Sequence, residues 1–182
     1  MSVEVQDNRA KLDAIMREIK RLDNAFVTVG IHGDKAQRKD DNETNPEIGA
    51  KHEFGSGNIP ERSFLRSTID GNKDLQEEME QLSAAVARGQ IRARVAAERL
   101  GLSAVDKVKR KIQAKIPPPL SPETIAKRAE KGAHGGGVGS MGGSTTPLID
   151  SGQLIQSIQF KVGGNAGWGA ASKTTEAETA GG

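Results

Sequence analysis

Apolar residues recur with a helical period near the start of the chain and again through its middle. The first such set, at spacings of 3, 4 and 3 residues, consists of Leu12, Ile15, Ile19 and Leu22. This spacing predicts an amphipathic helix over Asp7–Asp23 with one apolar face. A second set, at spacings mostly of 3 and 4 residues, runs from Leu75 to Ile116. It predicts a long helical section, interrupted at Gly89 and kinked at Gly101, which a run of prolines ends.

Two short segments have the character of β-strands. Phe26–Ile31 is rich in β-branched and aromatic residues, and Ile158–Val162 alternates apolar with polar residues, so both are predicted strands. In the first strand, Phe26 and Thr28 would share one face and Val27 the other, because successive side chains alternate.

Three shorter helices are marked by their N-terminal residues. The predicted segments are 45–52, 121–131 and 149–156. Asn45 is expected to cap the first of them, with proline at the first helical position. Ser121 is expected to cap the second, and Asp150 or Ser151 the third.

These elements predict an α+β fold, in which a small, mostly antiparallel sheet packs with several helices. We expect one domain over residues 1–169, containing a flexible glycine-rich loop at 132–143 and followed by a disordered tail at 170–182. The hydrophobic content of 35% is low against roughly 45–50% for globular domains, although that norm also counts glycine. A small core of this kind suggests that part of the order is gained on assembly.

Charge is segregated along the middle of the chain. Asp70–Glu80 is acidic and Arg88–Lys115 is basic, so copies of the chain could be steered into head-to-tail association. The basic section could also bind DNA phosphates, but no aromatic residue interleaves with it to stack on bases. No apolar run approaches the roughly 20 residues that a membrane span needs, so no membrane partner is expected.

The motifs that could indicate catalysis or ligand binding lack the flanking structure or the residue spacing that such sites require. Gly137–Gly142 spells G-x-G-x-x-G, but loop is predicted on both sides, whereas a dinucleotide site lies between a strand and a helix. The histidines and nearby carboxylates lack zinc spacing, and there is no cysteine. No nucleophile is paired with a base. The sequence therefore predicts no enzyme, no cofactor and no metal site.

The segment Ile48–Arg66 is the candidate contact site. Its glycine-rich turn, Gly55–Asn58, is followed by Pro60, which fixes the backbone of an otherwise flexible loop. Apolar and guanidinium side chains on such a loop suit a contact with another protein, although the apolar ones could equally belong to the core. The candidate interface residues are Glu53, Phe54, Ile59, Arg62, Phe64 and Arg66. We expect Arg62 and Arg66 to be exposed and to pair with carboxylates of a neighbouring subunit.

An ordered set of motifs accompanies this segment. EFG, the glycine-rich turn and IPERSFLR are followed by PPLSPETI with Lys127, and then by PLIDSGQL with Ser157-Ile158. This order resembles bacteriophage tail-completion proteins, the group that includes the minor tail protein Z family. The resemblance covers Val27–Val162. Ser63 stands where that family often has Pro, and Ser151 where it often has Thr.

The resemblance implies a structural virion protein of a tailed phage or prophage. Such a protein is assembled in the host cytoplasm and forms a ring, by resemblance a hexamer, at the head-proximal end of the tail. It would join the tail to the head connector or head-closure protein, with a tail-terminator or tail-tube protein below it and DNA passing through the lumen. Two alternatives stay open: a tail-terminator-like ring protein, and a basic DNA-binding accessory protein in packaging.

Overall fold

The computed structural model describes residues 8–32, 43–133 and 145–164. Those residues form seven helices and one two-stranded antiparallel sheet, which confirms the predicted α+β class. The elements are α1 (Arg9–Asp23), β1 (Ala25–Ile31), α2 (Asn45–Phe54), α3 (Arg66–Ile69), α4 (Lys73–Ala87), α5 (Ala93–Gln113), α6 (Pro122–Ala133), α7 (Gln153–Ser157) and β2 (Ile158–Gly164). No described helix combines the length and the apolar character needed to cross a membrane.

The sheet has one covered face and one open face. β1 pairs with β2 so that Val29 lies opposite Phe160, and Phe26 and Thr28 on the other face are exposed, as the alternation predicts. Helix α5 packs against both strands. Gly101, where the sequence predicts a kink, lies inside this uninterrupted helix. A Cβ atom at Gly101 would lie 2.3 Å from Cδ2 of Phe160, so the glycine serves the close approach of helix and sheet.

The main core joins residues that are far apart in the sequence. Its buried members are Phe64, Val108, Ile112, Ile116, Leu148, Ile149, Leu154 and Ile158. They come from the loop before α3, from α5 and its C-terminal end, and from the segment around α7. A smaller cluster of Val86, Ala93 and Ala96, with Leu22 against it, lies where α1 meets α4 and α5.

Helices α4 and α5 pack against each other, separated by a turn that contains Gly89 as predicted. The acidic and basic sections therefore meet within one chain. Lys107 Nζ lies 2.9 Å from Asp74 Oδ2, and Ser103 Oγ donates to Glu78 Oε2 at 2.5 Å. Part of the charge that predicted head-to-tail steering is thus paired internally.

Helix α1 departs from its predicted packing. None of its residues is buried, and only Ile15, Glu18 and Leu22 are half-buried. Glu18 Oε2 accepts a hydrogen bond from the backbone N–H of Ala93 at 2.9 Å. The two other members of the predicted stripe, Leu12 and Ile19, are exposed.

Two of the three predicted N-caps are wrong. Thr44, not Asn45, caps α2: its Oγ1 accepts from the Glu47 N–H at 3.4 Å and its own N–H donates to Glu47 Oε2 at 2.7 Å, a capping box. Helix α7 begins only at Gln153, preceded by Gly152. The Ser121 cap is confirmed, since its Oγ accepts from the Thr124 N–H at 3.2 Å.

Several predictions fall partly or wholly outside the described residues. Gly132 and Ala133 end α6, whereas the rest of the predicted glycine-rich loop at 132–143 lies outside, as does the predicted disordered tail at 170–182.

Candidate interface site

The segment between α2 and α3 is organised around a buried carboxylate. Helix α2 ends at Phe54, and Gly55, with φ of 76°, lets the chain turn back on itself. Glu53, in the last turn of α2, is only 3% exposed. Its carboxylate accepts five hydrogen bonds at 2.7–3.2 Å, from Ser63 Oγ, the N–H groups of Phe64, Leu65 and Arg66, and Arg66 Nε. Glu53 therefore fixes the entry to α3.

The hydrogen bonds determine the charge state of Glu53. Burial alone raises the pKa of this carboxyl, because a charge is poorly solvated inside the protein. The N–H groups of Leu65, Arg66 and Phe64, with the Ser63 hydroxyl, outweigh burial, so the pKa of Glu53 lies below its usual range. The carboxylate is therefore ionised at neutral pH and serves as an internal anion.

Arg62 is buried as well, being 4% exposed, so the prediction that it is exposed is wrong. Its Nε donates to the carbonyl oxygen of Pro118 at 2.8 Å, and its Nη2 to that of Pro119 at 3.1 Å. Burial, and then the charge of Arg128, lower the pKa of Arg62. Because both contacts lie within the chain, Arg62 connects the first motif segment to the proline run that follows α5.

Phe64 is fully buried in the main core. The sequence left core and interface equally open for this residue, and the structure assigns it to the core. Leu148 and Leu154 belong to the same buried cluster, so the IPERSFLR segment and the downstream motif PLIDSGQL share one core.

Phe54, Ile59 and Arg66 make up the accessible part of the candidate site. Phe54 is 63% exposed, and the Arg66 guanidinium carbon lies 4.7 Å from the centre of its ring, within cation–π range. Arg66 also pairs with Glu53 at 3.2 Å and with Glu61 at 2.8 Å. The sequence predicts that Arg66 pairs with carboxylates of a neighbouring subunit, whereas in the structure two carboxylates of the same chain pair with it. Ile59 is half-buried beside the turn.

A cleft of about 180 Å³ lies between α2 and the downstream motif, lined among others by Ile48, His52, Arg128 and Asp150. Burial, followed by the charges of Arg62 and Arg128, lowers the pKa of His52 to about 4. The imidazole is therefore neutral at pH 7. Its buried Nδ1 finds no hydrogen-bond partner among the described residues.

Arg128 is the residue of this site that the sequence reasoning missed. The guanidinium Nη1 donates to the carbonyl oxygens of Thr146 at 3.0 Å and Ile149 at 2.8 Å, and Nε lies 3.6 Å from Asp150 Oδ1. The adjacent Lys127, which belongs to the ordered motifs, is exposed and pairs with Glu123 on its own helix. Only the helical phase of α6 could have distinguished the two.

The described residues contain no group of three or more His, Cys, Asp or Glu side chains placed to hold a metal ion. Comparisons of the chain with models of protein families, with curated proteins and with solved structures found no match.

Proposed function

We propose that this chain is a structural virion protein of a tailed phage or prophage, acting at the head-proximal end of the tail. In this role, copies of the chain form a ring that completes the tail and joins it to the head connector. The proposal rests on the resemblance of the ordered motifs to tail-completion proteins.

The observation that best supports treating those motifs as one unit is their convergence in the fold. Arg62 of the first motif binds the carbonyl oxygens of Pro118 and Pro119 in the second, residues 56 and 57 positions away. Phe64 lies in the same buried cluster as Leu148 and Leu154 of the third. The three segments therefore form one structural unit, which supports interpreting the motifs together.

The internal salt bridges weaken the alternative of a DNA-binding accessory protein. Arg94, Lys107 and Arg110 of the basic section each pair with a carboxylate of the same chain, at 2.8, 2.9 and 2.8 Å. Paired cations contribute less to counterion release on DNA binding than free ones do.

Genetic removal of the chain tests the proposal. In the phage or prophage that encodes it, deletion should leave heads and tails that accumulate separately in electron micrographs, and supplying the wild-type chain should restore joined particles. Complete, infectious particles from the deletion strain would contradict the proposal.

A matched pair of variants distinguishes an effect on the contact between proteins from an effect on folding. Phe54→Ser removes an exposed aromatic side chain and should reduce the number of joined particles without unfolding the chain. Lys127→Ser, at an exposed position of α6 outside the site, should leave it unchanged. Equal titres from both variants would exclude Phe54 from the joint.

A further inference from the structure

The cleft between α2 and the downstream motif lies beside two cationic side chains. Arg128 lines it, and this side chain is only 16% exposed. Arg62 is 4% exposed, and its backbone N–H donates to the carbonyl oxygen of His52, another lining residue, at 2.6 Å. The two guanidinium groups are close enough to repel each other, since the charge of Arg128 lowers the pKa of Arg62.

Only one of these two cations has a carboxylate partner among the described residues. Asp150 Oδ1 lies 3.6 Å from Arg128 Nε. The Arg62 guanidinium instead binds the carbonyl oxygens of Pro118 and Pro119, and no carboxylate in the part of the chain that the structure describes pairs with it. A buried charge without an opposite charge is costly. The surroundings of the cleft therefore favour an anion.

Side chains that can donate hydrogen bonds to an anion line the same cleft. The Ser151 oxygen accepts from the backbone N–H of Gln153 at 3.5 Å. Within the described residues, the Ser151 hydroxyl proton and the Gln153 side-chain amide are left available to a ligand. A neutral imidazole retains one N–H, and Nδ1 of His52 has no partner there. Apolar side chains complete the walls, namely Ile48, Leu148 and Leu154.

We propose that this cleft binds a carboxylate group. Ser151, Gln153 and His52 donate hydrogen bonds to it, and the two guanidinium groups supply the opposite charge. In the proposed function, the carboxylate is that of an aspartate or glutamate side chain on an adjoining protein. This assignment of the source rests on the proposed function, whereas the binding of a carboxylate does not.

A carboxylate suits the cleft better than a phosphate group. Phosphate carries nearly two negative charges and three strong acceptor oxygens, so it needs more donors. Nη1 of Arg128 already donates to two backbone carbonyl oxygens, and Asp150 repels a dianion more than a monoanion. The apolar walls match the methylene groups that carry the carboxylate of an acidic side chain.

Propionate, which reproduces the end of a glutamate side chain, is the probe. NMR spectra of the full chain with ¹⁵N-labelled histidine follow its three imidazoles at pH 7, and the signal lost in His52→Gln assigns His52. Sodium chloride keeps the ionic strength constant. We expect propionate to shift the His52 signal saturably in the millimolar range, and neutral propionamide to leave it unchanged.

A double variant tests the donors while keeping the imidazole that reports binding. Ser151→Ala with Gln153→Ala should weaken propionate binding at least about tenfold, because hydrogen bonds to a charged group are strong. Lys127→Ser, at an exposed position of α6 outside the cleft, should bind propionate as the wild-type chain does. Circular dichroism checks that both variants fold, and each single alanine variant replaces the double variant if that one does not.

Three results would overturn the proposal. The first is a His52 shift that does not saturate or that propionamide reproduces. The second is tighter binding of inorganic phosphate than of propionate at equal ionic strength. The third is wild-type affinity in the folded alanine variants.

Sedimentation velocity identifies the source of the carboxylate. If a second copy supplies it, the purified chain assembles and propionate disperses the assembly; if another molecule supplies it, propionate leaves the sedimentation unchanged. Propionate binding by the purified chain is independent of its place in a particle, so it can fail while the deletion experiment succeeds, and the reverse.

Discussion

Replacement of Glu53 by glutamine is the sharpest single-residue test of whether the buried carboxylate organises the candidate site. Glutamine has nearly the same shape, but one carboxylate oxygen becomes an amide N–H2 group, which donates rather than accepts. Phe64 and Leu65 donate their N–H groups to Oε2, and Ser63 Oγ, Arg66 N and Arg66 Nε donate to Oε1. Whichever way the amide turns, at least two donors face another donor.

The expected loss in the free energy of unfolding follows from those hydrogen bonds. Hydrogen bonds to a charged group contribute roughly 1.5–3 kcal/mol each, and donors left unpaired lose that contribution. We therefore expect Glu53→Gln to lower the free energy of unfolding by about 3–5 kcal/mol, the range seen when one partner of a buried charged pair is removed. That is a large part of the roughly 5–15 kcal/mol available to a typical domain.

Urea unfolding followed by circular dichroism at pH 7 provides the measurement, with Glu61→Gln as the matched control. Glu61 also pairs with Arg66, but its side chain is 57% exposed, so its loss should change stability by less than about 1 kcal/mol. If Glu53→Gln is as stable as the control, the carboxylate does not organise the loop and the reasoning is refuted.

Three further predictions concern stability. Arg62→Glu should prevent folding, because it places a carboxylate against the carbonyl oxygens of Pro118 and Pro119; a folded variant by circular dichroism would contradict the burial of Arg62. Gly101→Ala should lower the free energy of unfolding by about 1–3 kcal/mol, since the new methyl group must displace Phe160; an unchanged urea midpoint would show that helix and sheet are not in close contact there. The pKa of His52 falls from 6.5 to about 4 on folding, so the unfolded chain binds more protons between those values and stability should decrease as pH falls through that window. After allowance for its partial exposure the effect is roughly 1–2 kcal/mol, and His52→Gln should remove it from the pH dependence of the melting temperature.

The elements that could be predicted are those set by local sequence. The alternation in Phe26–Ile31 and Ile158–Val162 predicted both strands and the exposed face of the first, because one face of a paired strand must be buried. The break at Gly89 followed from a periodic pattern interrupted by glycine. The cap of α2 was misplaced by one residue, because Asn45 and Thr44 are both good caps and only the reciprocal contacts with Glu47 distinguish them.

The candidate site was beyond local reasoning for a physical reason. An arginine beside apolar residues is equally compatible with an exposed contact and with a buried one that binds backbone carbonyls. Only the tertiary packing, which brings Pro118 and Pro119 to Arg62 from 56 and 57 residues away, distinguishes the two. Likewise, the spacing of Leu12, Ile15, Ile19 and Leu22 predicted the helix correctly. It could not predict how much of the apolar face the rest of the chain would cover.

Imaging of assembled particles that carry a tagged version of this chain tests the central claim most directly. We expect a ring of density from the tagged chain at the junction of head and tail, and no such density on heads or tails elsewhere. Tagged chain found only in free form, or bound along packaged DNA, would contradict it.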